Sequence, residues 1–195
     1  MAAERVDGHR PAQIGSGQAA PALGMTRRHL RIAAFAAVQV FPILALAPLM
    51  PQVAAWSPPA YAALAGAQTL FIFAARRMVG LRWSATVAAA MVAVLVGPFS
   101  AVGWLIAVPL MIAGAAFDGM MWMLERSRLP VVLLHVLIGG VVGSALFVVS
   151  LPVMSAEHLQ PGLLLATWLS RVVTSVCGSW LSARLVAALH RAGVR

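Results

Sequence analysis

The chain has 195 residues, 62% of them hydrophobic and 10% charged, against roughly 25% charged in soluble domains, so its composition excludes a soluble globular domain and marks an integral membrane protein. Its single cysteine, Cys177, lies in an apolar stretch, which leaves no disulfide framework, CxxC metal pair or redox couple. The net charge of +9 comes from fourteen arginines and no lysine, but most of them flank apolar spans, and no basic face with interleaved aromatics points to nucleic acid.

Residues 1–26 are polar, rich in Gly, Pro, Ala and Gln, and without helical periodicity, so they read as a disordered tail. No secretory signal is visible, because the first apolar run follows a long polar lead and lacks a small-residue cleavage site. The helical region, 27–193, starts near Thr26 with Arg27, Arg28 and Arg31. It holds six apolar segments, at 32–50, 55–75, 83–98, 103–123, 130–153 and 162–183. At about 1.5 Å per residue each approaches the span of a bilayer core of about 30 Å, the third being short.

Charge between the segments predicts orientation. Arg27, Arg28 and Arg31 precede the first; Arg76, Arg77 and Arg82 lie between the second and third; Arg126 and Arg128 lie between the fourth and fifth; Arg184, Arg191 and Arg195 follow the sixth. The other three loops, around Gln52, Ser100 and Glu157, carry no arginine. The positive-inside rule turns that alternation into an all-α, multi-pass protein of the cell membrane, with six spans and both termini cytoplasmic.

Small residues four apart predict where helices touch: Ala33 with Ala37, Ala62 with Gly66, Ala115 with Gly119, and most specifically Gly139 with Gly143, where Gly140 and Ser144 repeat the spacing on the next ridge. Pro42, Pro48 and Pro109 fall inside or near helix ends, where they free carbonyls and permit kinks.

Within the last segment stands Arg171. A fixed positive charge near mid-membrane costs about 3 to over 10 kcal/mol depending on the scale, so it faces a protein interior or a wet cavity. Trp168, Thr174 and Ser175 share its helical face, with Gly178 a turn further. That face can hold a planar or anionic ligand; alternatively, Arg171 only ties helices together. Trp56, Tyr61, Phe99, Trp104, Trp168, Glu157, His158 and Gln160 cluster at the arginine-free loops, with Gln68 and Arg171 deeper. Aromatics at that level form an interfacial belt or the walls of a pocket for a small, flat, polar molecule. The candidate ligand-lining set is Arg171, Trp168, Trp104, Gln68, Ser175 and Trp56. A second group is Asp118 and His135, each about seven residues from the turn between the fourth and fifth segments and so at similar depth. An ion pair between them would read as a hairpin clasp or as a proton-relay site.

Several chemistries have nothing to stand on. No GxxxxGK[ST] loop is present, so ATP would have to be hydrolysed by an outside motor. No HExxH motif or carboxylate dyad exists, and His135 alone lies well inside the membrane, so no metal, haem or other cofactor and no enzymatic activity is expected.

Taken together, the opening RRHLRIAAFAAV, the run from Arg76 to Met121 (RRMVGLRWSATVAAAMVAVLVGPFSAVGWLIAVPLMIAGAAFDGMM) and the closing WLSRVVTSVCGSWLSARLVAALHRAG resemble the substrate-binding S component of an energy-coupling-factor (ECF) vitamin transporter. The second half is most similar to the YkoE-like branch, associated with thiamine or its hydroxymethylpyrimidine precursor, through LPV at Leu129 to Val131, PGLLL at Pro161 to Leu165, and an arginine matching Arg171. The resemblance implies a six-helix bundle that captures a vitamin from outside, in its outer half under the loop after helix one. It would pass the ligand to a transmembrane coupling protein with two ATPases, which Ala33 and Ala37 would contact. The loop after helix one, MPQVAAWSPPA, departs from that pattern in being short, proline-rich and poor in groups that grip a ligand. Two other classes remain open: a structural or assembly subunit of a larger membrane complex, and a self-contained proton-coupled small-molecule transporter that would depend on Asp118.

Overall fold

The first apolar segment forms α1, Ala19–Leu46, which begins earlier in the chain than the arginine cluster suggested and carries Pro42 inside it. The computed structural model describes residues 19–194 except 101 and 126, with side chains from 24 onward; most of the expected polar tail lies outside the described residues, and its last stretch is the start of α1. A short helix α2, Met50–Trp56, follows at the arginine-poor end, and Ser57 then caps α3, Pro58–Ala67, accepting from the Ala60 N–H at 3.4 Å with Pro58 and Pro59 in its first turn.

The second expected segment is therefore not one helix. It breaks after α3 and resumes as α4, Leu70–Val79. The break follows from local chemistry at Gly66, Gln68 and Thr69: the Thr69 hydroxyl donates to the Gly66 carbonyl at 2.7 Å, and the Thr69 N–H donates to the same carbonyl at 3.1 Å, so the ladder tightens and stops. The Phe71 N–H is recovered by Gln39 of α1, whose Oε1 accepts it at 3.2 Å. α4 ends at Gly80, whose left-handed φ of 72° lets its N–H close on the Arg76 carbonyl at 2.9 Å.

The remaining helices are α5 (Ser84–Val96), α6 (Ala107–Leu124), α7 (Val131–Ser150) and α8 (Pro161–Arg191). Among the described residues four spans are long and apolar enough to cross a membrane, Gly24–Leu46, Gly103–Leu124, Val131–Val153 and Pro161–Arg191, while Ser84–Phe99 is a shorter apolar helix. The pattern of burial is that of a bundle in lipid: Val131, Val132, Val173 and Leu165 face outward, while Gln39, Asp118, Ser175 and Ser179 face inward.

α4 lies at the centre, touching α1, α5, α6 and α8. Phe73 of α4 stacks on Phe117 of α6 with ring centroids 4.1 Å apart. Small residues set the closest seams. A Cβ on Gly139 would stand 2.5 Å from the Val176 backbone, and one on Gly143 would stand 2.6 Å from Val172 Cα, so α7 and α8 approach where the small-residue spacing placed them. Gly114 of α6 meets the Ala85 carbonyl of α5 in the same way, whereas Gly119 and Gly140 face open space.

Candidate functional site

One face of α8 carries a polar stripe of buried residues: Thr167, Arg171, Ser175, Ser179 and Ser182, spaced three or four apart. α3 and α4 cover this stripe from one side and α7 from the other. Its two ends do different things.

At the arginine-poor end the helices part around a cavity of about 760 Å³. Its roof is α2 with the end of α1, contributing Met50, Pro51 and Ala54; its walls include Val96, Ile106, Leu110 and Leu146; its floor holds Gln68, Thr69 and Arg171. The helix break at Gln68–Thr69 thus lies on the cavity floor, the place where irregular backbone is tolerated at membrane depth. Arg171 is 5% exposed, and its guanidinium carbon stands 5.7 Å from the centroid of the Tyr61 ring, which also lines the cavity. Among the described residues no group accepts from Arg171 Nε, and Ser175 Oγ, one turn deeper, has no partner either. Aspartate and glutamate do not occur among the lining residues. His158 stands at the rim with its Nδ1 held by Ser155 Oγ at 2.7 Å.

At the other end, two consecutive arginines of α4 point to different neighbours, as residues about 100° apart on a helix do. Arg76, 3% exposed, pairs with Asp118 of α6, Nε to Oδ1 at 3.2 Å, a distance for an ion pair though not aligned for a hydrogen bond, and also with Glu125. Asp118 accepts in addition from Thr86 N–H and Thr86 Oγ1, both at 2.8 Å, and from Ala85 N–H at 3.3 Å. Arg77 instead donates to Ser182 Oγ at 3.0 Å and Ser179 Oγ at 3.1 Å, and lies 3.3 Å from His135 Nδ1. His135 shares Ser179 Oγ at 2.9 Å.

These contacts correct the expected clasp between Asp118 and His135. Both are buried, but each bonds to a different arginine of α4, because α6 turns its acid toward α4 and α5 while α7 turns its histidine toward α8. The tryptophans are corrected as well. Trp168 is half-buried and donates from Nε1 to Ser144 Oγ at 3.0 Å, tying α8 to α7; Trp104 is 60% exposed and lies against Gly97; Trp56 is 89% exposed. None of the three lines the cavity, and Ser175 lies beneath it. Arg171 and Gln68 do line it. Ala33 is half-buried and Ala37 exposed on α1. Tyr61 and His158 line the cavity too, although their positions read equally well as an interfacial belt; Thr69 and Thr167 carried no signal, since a hydroxyl in an apolar helix commonly satisfies itself on a carbonyl, as Thr167 does with Leu163 at 2.7 Å.

No family model matches the chain, and no curated protein matches it. A solved structure described as the crystal structure of an S component of an ECF transporter superposes with a TM-score of 0.71, covering 88% of this chain and 86% of that one, at 18% sequence identity. The chain has an S-component fold. At that identity the likeness is one of architecture, and nothing in it bears on a thiamine or hydroxymethylpyrimidine branch.

Proposed function

We propose that the protein is the substrate-binding S component of an ECF-type importer, taking a small heterocyclic vitamin or vitamin precursor into the cavity above Arg171. The observation that carries this reading is the cavity itself: about 760 Å³, at the end opposite the paired arginines, apolar around its walls and floored by one buried cation. Ligand sites of small molecules have this size and this division between apolar walls and a few convergent polar groups. The S-component fold supports it independently.

With the arginine-rich loops cytoplasmic, the cavity opens outward and α2 forms its cover. Arg171 and Gln68 supply the polar contacts, and Tyr61 supplies an aromatic wall. Ala33 and Ala37 present small, accessible positions on α1 to a transmembrane coupling protein, which with two ATPases supplies the work of transport. Thiamine and hydroxymethylpyrimidine are the candidates the sequence resemblance suggests. A lining with one cation and no carboxylate favours uncharged or anionic members of the heterocycle class over the thiazolium cation.

The test is purification from native membranes together with binding by the purified chain. Coupling-protein and ATPase subunits should accompany the wild type, and Arg171→Ala should abolish ligand capture while elution as a folded monodisperse species persists. Recovery with other membrane subunits but no ATPase, and no small molecule that raises the melting temperature, would leave the assembly-subunit reading in its place.

A further inference from the structure

Among the described residues Arg171 has no counter-ion. Of the five acids in the sequence, Asp118 and Glu125 are taken by Arg76 at the opposite end, Glu157 is exposed and outside the cavity, and Glu4 and Asp7 precede the described residues. Among the described residues no carboxylate forms an ion pair with Arg171 and no group accepts a hydrogen bond from its Nε; the Tyr61 ring, 5.7 Å from the guanidinium carbon, compensates the charge only in part. Arg171 is 5% exposed in a membrane bundle, where burying a charge is costly, and the groups lining the cavity offer it nothing anionic.

We propose that the counter-ion is the ligand: the cavity takes a carboxylate monoanion, its carboxylate on the Arg171 guanidinium and its uncharged body against Ile43, Val96, Ile106, Leu110 and Leu146. This rests on the capture reading above and narrows it. Charge balance sets the class. One arginine and no lysine floor the site, and His158 stands only at the rim with its Nδ1 held by Ser155, so a single negative charge is neutralised at the floor; a phosphate dianion there would be left with excess charge in an apolar chamber. A thiazolium would set a second cation beside the first. A neutral carbonyl can accept hydrogen bonds but would leave the charge unanswered, whereas a carboxylate answers the charge and accepts from two guanidinium nitrogens in parallel on its two oxygens.

The proposal separates from the broader reading in a binding experiment on the full-length chain in detergent. The probes are matched acids and neutral partners, nicotinate with nicotinamide, biotin with biotin amide, lipoate with lipoamide and pantothenate with panthenol, alongside thiamine as cation and pyridoxal phosphate as dianion. Melting-temperature shifts and equilibrium dialysis are read for wild type, Arg171→Lys and Arg171→Gln. At least one acid should bind the wild type more tightly than its neutral partner by about tenfold or more. Arg171→Lys should keep part of that preference, and Arg171→Gln should erase it while unliganded melting stays near wild type. Equal binding of acid and neutral partner, preference for thiamine or pyridoxal phosphate, or an acid preference that survives Arg171→Gln would overturn the carboxylate assignment and leave the capture reading intact. A panel in which nothing shifts the wild type would overturn the carboxylate assignment, and the capture reading would then be decided by whether ATPase subunits copurify with the chain.

Discussion

At the arginine-rich end, Arg76 is buried beside Asp118 and Glu125, and Asp118 in turn collects three further donors from Ala85 and Thr86. At the cavity, Arg171 is buried to nearly the same degree with a tyrosine ring and no acid. Among the described residues, the same side chain at similar exposure thus meets two carboxylates in one region and none in the other. Under the proposed function, burial alone does not separate a structural charge from a ligand-binding one; the completeness of its surroundings does.

The largest effect that would sharpen this contrast is expected from Asp118→Ala. It leaves Arg76 buried without its inward partner and releases the Ala85 and Thr86 donors, and breaking such a pair costs about 3–5 kcal/mol. Thermal or denaturant melts in detergent should show that loss with and without ligand alike. A variant as stable as wild type would mean that Glu125 alone suffices, and the contrast between the two ends would weaken.

Gly143→Ala comes next and acts on the seam that carries Arg171. Its Cβ would stand 2.6 Å from Val172 Cα and 2.9 Å from the Arg171 carbonyl carbon, so α7 must move off α8. Overpacking of that kind costs about 1–3 kcal/mol, and capture should fall with it because the backbone that aims Arg171 shifts. Gly140→Ala, which meets nothing within 4 Å, is the control and should melt at or slightly above the wild-type temperature. Ser179→Ala is smaller again. It removes the hydroxyl shared by Arg77 and His135, for about 1–2 kcal/mol, while Ser182 still holds Arg77 and the cavity keeps its ligand.

Much of this arrangement can be read from the chain before any coordinates. The alternation of arginine-rich and arginine-free loops separates the two ends, and the lone arginine inside an apolar helix is one that the structure places on the cavity floor. Gly139 and Gly143 announce the α7–α8 seam. What stays hidden has physical causes. Arg76 and Arg77 look like topology charges because they adjoin an apolar segment's end, and only packing shows that a further turn of α4 carries them inside. The break between α3 and α4 is hidden from hydropathy because apolar residues run up to it on both sides, Ala62 to Ala65 before and Leu70 to Ala75 after. Tryptophans mislead for a related reason: in lipid a large ring is as comfortable facing outward, as Trp56 and Trp104 do, as it is lining a pocket. Asp118 and His135 both reach α4, at the consecutive Arg76 and Arg77, yet equal distance from the turn says nothing of which way two helices rotate their faces.

The smallest expected change in stability is also the one that decides most. In Arg171→Met the apolar stem is retained and the charge removed; since no acid is left behind, no orphaned partner is created. Replacing buried charge by a well-packed apolar side chain is often neutral or stabilising, so the unliganded protein should melt at the wild-type temperature or above it, while ligand no longer shifts the melt. Asp118→Ala and Arg171→Met would then form opposite corners of one comparison, stability lost with capture retained in the protein that stays folded, and stability kept with capture lost. If Arg171→Met instead melted as early as Asp118→Ala, the guanidinium would be holding helices together, and the cavity beside it would lose its claim to be the reason that charge is there.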